Sequence, residues 1–497
     1  MKLQRGYGIL LHPTSLPGDE PVGTLGEHAF NFVDQLESMG ASWWQVLPLN
    51  PPSCCNSPYS SYSAFAGNHA LIDLETLVSE GDLPIQTYPV NASGRVDFDV
   101  CYSYKNRALE IAARAFFATG HTKRMESFWH FCDTTPWLHD YALFIALQKK
   151  YKNRPWWSWP KQASLITPAA YEKFSVECGT EIGVQKYIQW QFYRQWERLK
   201  EYANAHGIGL IGDIPIFVAR NSADVWCNRS LFLLDKNGTP TEVAGVPPDY
   251  FSKTGQLWGN PLYNWEVLEQ RGYDWWRERF RSVCRYFDIV RLDHFRGFEA
   301  AWHVPATHKT AAKGKWVKGP GARLFDSIQA ELGALPLIAE DLGVITPEVE
   351  ALRDRYGFPG MKILQFAFGS GGGNPYLPHN HCKQSVVYTG THDNNTTRGW
   401  YDGLNNSQKQ DVNDYLGTIN DNPVLGMLRA ACMSIADMAI FPLQDVLGLA
   451  AEHRMNIPGE ACGNWEWRVD PEMLSWFDAA GFRTFAARYG RCSENAK

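Results

Sequence analysis

Four short apolar runs each deliver a carboxylate near their carboxyl end: GLIGD up to Asp213, DIVRLD up to Asp293, PLIAE up to Glu340 and SVVYTGTHD up to Asp393. Acidic groups at the ends of several parallel strands converge on one pocket in a closed barrel. Two such groups can divide the work of breaking an acetal, one attacking or stabilising the carbon and the other protonating the departing oxygen. Asp293 and Glu340 fall on consecutive strand candidates, where a spacing of ~5–5.5 Å would give a covalent intermediate and retention of configuration. Arg291, two residues before Asp293, shares its face of the strand and should keep it ionised. Glu340 closes an apolar run beside negative neighbours, which should raise its pKa and suit it to act first as acid and then as base. Asp393, between His392 and Asn394, offers a third carboxylate to hold ring hydroxyls. One acid alone would read as a buried, hydrogen-bonded structural group. Four at equivalent strand ends read as a site.

The elements that must position these groups follow from period and punctuation. Eight apolar, β-branched or aromatic runs qualify as strands: Gly8–His12, Trp44–Leu49, Gly209–Ile214, Ile289–Asp293, Leu337–Glu340, Met361–Phe366, Ser385–Thr389 and Ala439–Leu443. Amphipathic stretches separate them. Phe30, Val33, Leu36 and Met39 precede Gly40; Ile188, Phe192, Trp196 and Leu199 precede Gly207; Trp276, Phe280, Val283 and Phe287 precede the fourth strand; Leu324, Ile328 and Leu332 precede the fifth. Thr346-Pro347-Glu348 opens a further helix. Strand and helix alternate, which implies an α/β fold with a parallel sheet, and eight strands close a (β/α)8 TIM barrel. The alternation breaks between Leu49 and Gly207, so residues 1–50 and 207–497 are expected to form the barrel, with a loop insertion at 245–265. Residues 51–206 are expected to form inserted, partly helical, aromatic-rich subdomains on one flank of the pocket.

Composition narrows the function classes. The chain has 497 residues, a 44% hydrophobic share and no apolar run near the ~18 residues of a membrane helix. The first residues lack a secretory apolar stretch, so a cytoplasmic location is expected. A formal charge of −6 with interspersed signs argues against nucleic acid. Eleven cysteines without a C-x-x-C pair fit reduced thiols, the adjacent Cys54 and Cys55 included. Gly369–Gly373 lacks a phosphate-binding spacing, and His379, His381 and Cys382 read as exposed loop residues rather than metal ligands. Twenty Trp and twenty-two Tyr supply rings able to stack on sugars, although they also serve as core filler.

The segments YGILLHPTSLPG, SPYSSYSAFAGN, GDIPIFV, GVPPDYFSKTGQLWGNPLY, VRLDHFRGFE, IAEDLG, YTGTHDNNTT and NIPG…GNWEWR together resemble the amylomaltase family of 4-α-glucanotransferases, related to the α-amylases, from about Gly6 to Arg468. The resemblance implies transfer of a glucan segment between α-1,4-glucans through a retaining double displacement, with maltooligosaccharides as substrates and no cofactor or metal. It implies Asp293 as nucleophile, Glu340 as acid/base and Asp393 as transition-state stabiliser. Arg291 and His392 would bind the sugar before the cleaved bond, Asp213 would brace that site and Tyr59 would stack or hydrogen-bond near it. His294 and the Tyr250-Phe251 tip would contact the acceptor, and the proline-stiffened Val246–Phe251 loop would shield the intermediate from water. Asn395, Arg398 and Ile457 depart from the family pattern and touch acceptor preference or packing rather than the acids. A retaining α-glucan hydrolase on the same barrel is the alternative, followed by an inert glucan-binding protein.

Overall fold

The computed structural model describes residues 3–89, 94–120, 122–248, 253–417, 422–460 and 462–492. Its centre is one sheet of eight strands: β1 (Gly6–Leu10), β2 (Trp43–Gln45), β3 (Gly209–Pro215), β4 (Ile289–Asp293), β5 (Leu337–Ala339), β6 (Gly360–Ile363), β7 (Ser385–Tyr388) and β8 (Met438–Pro442). Every ladder is parallel, and the order β6-β7-β8-β1-β2-β3-β4-β5 follows the chain around a ring. The seam between β5 and β6 has no ladder, because the Met361 N–H that would return to Ala339 O is taken by the Asp341 side chain. It is stitched instead by the Ala339 N–H donating to Pro359 O at 2.9 Å and the Met361 N–H donating to Asp341 Oδ1 at 2.7 Å. The result is a (β/α)8 barrel.

Strands buried on both faces need apolar residues throughout, and β1, β7 and β8 are buried at every position. Close packing also fixes Gly8. A Cβ there would sit 2.5 Å from the Trp43 side chain and 2.9 Å from Ile440 on the two neighbouring strands. Two strands stop three or more residues earlier than their apolar runs. β2 ends at Gln45, shortly before Pro48, and β6 gives way at Leu364–Phe366 to a single 3-10 turn.

The amphipathic stripes do as their spacing requires. Helix Glu27–Met39 buries Phe32, Val33, Leu36 and Met39, and ends where Gly40 turns left-handed at φ 74° to cap Leu36 and Glu37. Phe30 lies to the side of that stripe, edge-on to Tyr202. Helix Gly179–Ala205 buries Ile188, Phe192, Trp196 and Leu199, and its Trp196 Nε1 donates to Tyr286 O at 3.0 Å on helix Asp274–Tyr286. Helices Phe98–Ala118, Lys123–Thr134 and Leu138–Lys150 pack on that long helix through an aromatic cluster that includes Phe116, Phe128, Tyr187 and Trp190. One continuous apolar core joins this layer to the barrel. No described helix is long and apolar enough to cross a membrane.

A second sheet stands where the sequence suggested only loops. Strands Gln256–Pro261, Glu242–Val246, Ala300–Pro305 and Lys315–Lys318 form it in that order, all antiparallel. They arise from the connections that follow β3 and β4, so the sheet rises beside the carboxyl ends of those strands. At the opposite end of the barrel, Arg491 is fully buried and ties the C-terminal segment to β1 and to the turn before β8.

His381 is a correction. It is not exposed but 5% accessible, with Nδ1 2.7 Å from Ser434 Oγ and Nε2 2.9 Å from Tyr376 O. His379 and Cys382 are exposed as expected.

Candidate active site

Register brings the first three groups together. Asp213 on β3 lies opposite Arg291 on β4, and Pro215 opposite Asp293. Arg291 is buried between the two acids: Nη1 meets Asp213 Oδ2 at 2.6 Å and Nη2 meets Asp293 Oδ1 at 2.8 Å. Burial alone would weaken the guanidinium, but the Asp213 and Asp293 carboxylates hold it firmly charged. A single cation thus orients one fully buried acid and one, Asp293, whose side chain keeps 26% of its surface open. Burial, and then the Asp293 charge, raise Asp213, while Arg291 and Tyr59 oppose that rise.

Glu340 follows β5 directly, with its N–H on Leu292 O at 3.1 Å, which seats it beside the end of β4. Its carboxyl is clamped by two backbone amides: His294 N–H donates to Oε2 at 2.7 Å and Leu342 N–H to Oε1 at 2.9 Å. The first amide points inward because His294 adopts a left-handed conformation, φ 50° and ψ 50°, immediately after Asp293. Such a backbone is uncommon for a residue with a side chain and marks a functional constraint. Burial and the Asp293 charge push Glu340 up to about 8, against the pull of Arg291 and the two amides. Asp293 paired to a cation beside a proton-retaining Glu340 is the separation of roles that paired carboxylates need.

Tyr59 comes from the connection after β2 and donates its hydroxyl to Asp213 Oδ2 at 2.7 Å. Burial, then Asp213, raise that hydroxyl well above its ordinary value, so it remains a donor. Its ring stacks on His392 with centroids 5.0 Å apart and planes 14° from parallel. Trp465, itself left-handed at φ 68°, leans on both rings at 6.0 and 5.8 Å. Burial lowers His392, which keeps the imidazole neutral.

Asp393 departs from the expected placement. β7 ends at Tyr388, so Asp393 lies on the following loop rather than at a strand end, and its side chain is half exposed. Three groups fix it: Asn456 Nδ2 donates to Oδ1 at 2.6 Å, His392 Nε2 stands 3.4 Å from Oδ1, and Arg454 Nη2 donates to its backbone oxygen at 2.5 Å. The His294 ring lies edge-on to Trp258 of the second sheet at 4.8 Å, and burial lowers it to about 3. Its Nε2 has no hydrogen-bond partner among the described residues. Tyr250 and Phe251 lie outside the described residues, so the acceptor-side tip stays an expectation. Asn456, Arg454, Trp465 and Trp258 were not singled out in the sequence, although NIPG…GNWEWR and GQLWGN contain three of them.

Among the described residues no group of three or more His, Cys, Asp or Glu side chains is arranged to hold a metal ion. The site is instead a linked set, Tyr59–Asp213–Arg291–Asp293, facing Glu340 on one side and Asp393 beside His392.

Fold and site define an α/β barrel that gathers carboxylates at the carboxyl face of its strands, where enzymes of this fold carry their active sites. The family model described as 4-alpha-glucanotransferase matches residues 11–474. The 4-alpha-glucanotransferase of Thermus thermophilus is 48% identical over 98% of this chain and 99% of its own length, and that of Synechocystis sp. is 46% identical over 98% of each. The amylomaltase of Streptococcus agalactiae, solved in complex with acarbose, matches with a TM-score of 0.95 at 37% identity, covering 99% of this chain and 100% of that one. The chain belongs to the 4-alpha-glucanotransferase family and is an enzyme of that activity.

Proposed function

We propose that the enzyme disproportionates α-1,4-glucans by two displacements. Asp293 attacks C1 of an α-1,4-linked glucose while Glu340 gives its proton to the departing 4-oxygen, leaving a β-glucosyl-enzyme. A sugar 4-hydroxyl, losing its proton to Glu340, then attacks C1 and restores the α-1,4 bond. Arg291 holds Asp293 in an ion pair between turnovers, and Asp393 with Asn456 binds hydroxyls of the distorted ring. The observation that carries the reading is a raised Glu340 carboxyl beside an Asp293 paired to a buried arginine. The acarbose complex of the Streptococcus agalactiae amylomaltase supports α-glucan-like ligands as the occupants. Maltooligosaccharides are the substrates on this reading, and a cytoplasmic setting belongs to it.

Incubation with maltotriose alone tests the proposal. Glucose and longer maltooligosaccharides should appear at constant total reducing ends. Rising reducing ends without longer products would make the chain a hydrolase.

The raised Glu340 also sets a pH limit. The general acid is competent only while protonated, so kcat/KM on maltotriose should be retained below the Glu340 pKa and lost as pH rises through about 8. With α-glucosyl fluoride, whose leaving group needs no proton, formation of the glucosyl-enzyme should lose that basic limb. An identical limb with both substrates would remove Glu340 from the acid role.

A further inference from the structure

The turn that carries Tyr59 also carries two adjacent thiols. Cys54 and Cys55 are both exposed, and their sulfurs lie 2.9 Å apart. Cys55 and Asn56 are left-handed, at φ 54° and 57°. The turn is closed by Ser57 N–H on Cys54 O at 3.1 Å, Ser53 N–H on Ser60 O at 2.7 Å and a Ser53–Ser60 hydroxyl contact of 2.9 Å. Tyr59 stands on the returning arm, its own N–H on Ser57 Oγ at 3.3 Å. The thiols are therefore four and five residues from a side chain that touches Asp213 and His392.

We propose that Cys54 and Cys55 are a redox modification site, closing reversibly to a vicinal disulfide that slows turnover by displacing Tyr59. Neighbouring Cα atoms stand about 3.8 Å apart across a trans peptide, short of the ~4.4–6.8 Å usual for a disulfide, so the bridge is strained and easily reduced. Strained, exposed bridges have the more oxidising potentials of labile, regulatory disulfides rather than structural ones. The oxidant is a small-molecule disulfide such as oxidised glutathione. Hydrogen bonding to Cys55, then burial, push the Cys54 thiol up to about 11. One thiol of the pair, as its thiolate, forms a mixed disulfide and expels one glutathione thiolate; the other, 2.9 Å away, gives up its proton and displaces the second. Two glutathione thiols leave and the pair has lost two electrons and two protons. The strain then falls on the Cys54–Cys55 peptide, whose carbonyl anchors the turn before Pro58 and Tyr59. A shift of about 1 Å in a positioning group can cost ~100-fold in rate.

The effect on turnover rests on the placement of Tyr59 in the site, whereas ring closure is read by mass alone. The purified full chain is treated with oxidised glutathione, digested and mapped, with maltotriose kinetics before and after dithiothreitol. The expected result is a Cys54–Cys55 peptide lighter by two hydrogens without glutathione, a fall of about tenfold in kcat/KM, the size of one displaced hydrogen bond to a charged group, and full recovery on reduction. The Cys54→Ser/Cys55→Ser variant should match the reduced enzyme and not respond. A lasting glutathione adduct or an unmodified pair overturns ring closure. A closed ring with unchanged kinetics, or equal inhibition of the double variant, overturns the link to the site.

Discussion

Asp293→Ala is expected to lower kcat on maltotriose by about 10^4-fold or more, the usual cost of deleting a covalent nucleophile, while glucan binding persists. The fold should survive, because Arg291 keeps its 2.6 Å partner Asp213 and the lost carboxylate is partly open to solvent. Thermal unfolding close to that of the parent enzyme checks this. Azide supplies a sharper discrimination. In Asp293→Ala it can enter from the vacated face and displace an activated leaving group such as fluoride once, giving the β-glucosyl azide. In Glu340→Ala the nucleophile remains, the intermediate forms from glucosyl fluoride, and azide opens it to the α-glucosyl azide. Exchange of these two anomers between the variants would reverse the assignment. Asp293→Asn makes a linked prediction. Removing the charge that helps hold Glu340 near 8 should move the basic limb of any residual activity to lower pH.

Arg491→Met is expected to do the opposite, costing on the order of 2–4 kcal/mol of stability with little change in kcat at low temperature. Arg491 is fully buried, and burial lowers it only to about 10, so it is charged at neutral pH. It has no carboxylate partner among the hydrogen bonds described. Its Nε donates to Cys432 O at 2.9 Å, Nη1 to Gly6 O at 2.9 Å, and Nη2 to Ala431, Ser434 and Ala436 oxygens at 3.0, 2.9 and 3.0 Å. Methionine fills the volume but takes this donor from Gly6 O and Ala431 O, whereas Arg5 still donates to the Ser434, Ala436 and Cys432 oxygens at 3.0, 3.2 and 2.9 Å. Gly6 begins β1 and Ala436 precedes β8, so the clasp sits at the amino end of the barrel, away from the acids. Arg491→Lys should recover only part of the loss, since an ammonium cannot reproduce the planar fork. Thermal unfolding of the three proteins measures it, and an unchanged transition for Arg491→Met would show that the clasp contributes nothing.

These two residues also show what a linear sequence displays. Asp293 was legible because a β-branched run ending in an acid is a local pattern, and Asp213 and Glu340 were legible for the same reason. Their connection was less so. That Arg291 bridges Asp213 as well as Asp293 depends on the register between β3 and β4, which no spacing within one strand reveals. Asp393 was found as a residue but misplaced. It stands five positions past β7 on a loop fixed by Arg454 and Asn456, about sixty residues further on. The second sheet escaped notice because Gln256, Leu257 and Trp258 are all exposed, so strand Gln256–Pro261 shows no alternation to read. His381 read as a loop histidine because its partner Ser434 is 53 residues away. The Arg491 clasp uses backbone carbonyls, which leave no mark on a sequence at all.

The central claim is a covalent glucosyl-enzyme on Asp293. The most direct measurement is to incubate the enzyme with 5-fluoro-α-glucosyl fluoride, whose second fluorine destabilises the oxocarbenium-like transition state for breakdown while the good leaving group lets the intermediate form. The modified residue is then located by peptic digestion and mass spectrometry. The account predicts one glycosyl group per chain, on the peptide containing Asp293, discharged on adding maltose as acceptor. A label on another residue, or a fully active enzyme that acquires none under these conditions, would contradict it.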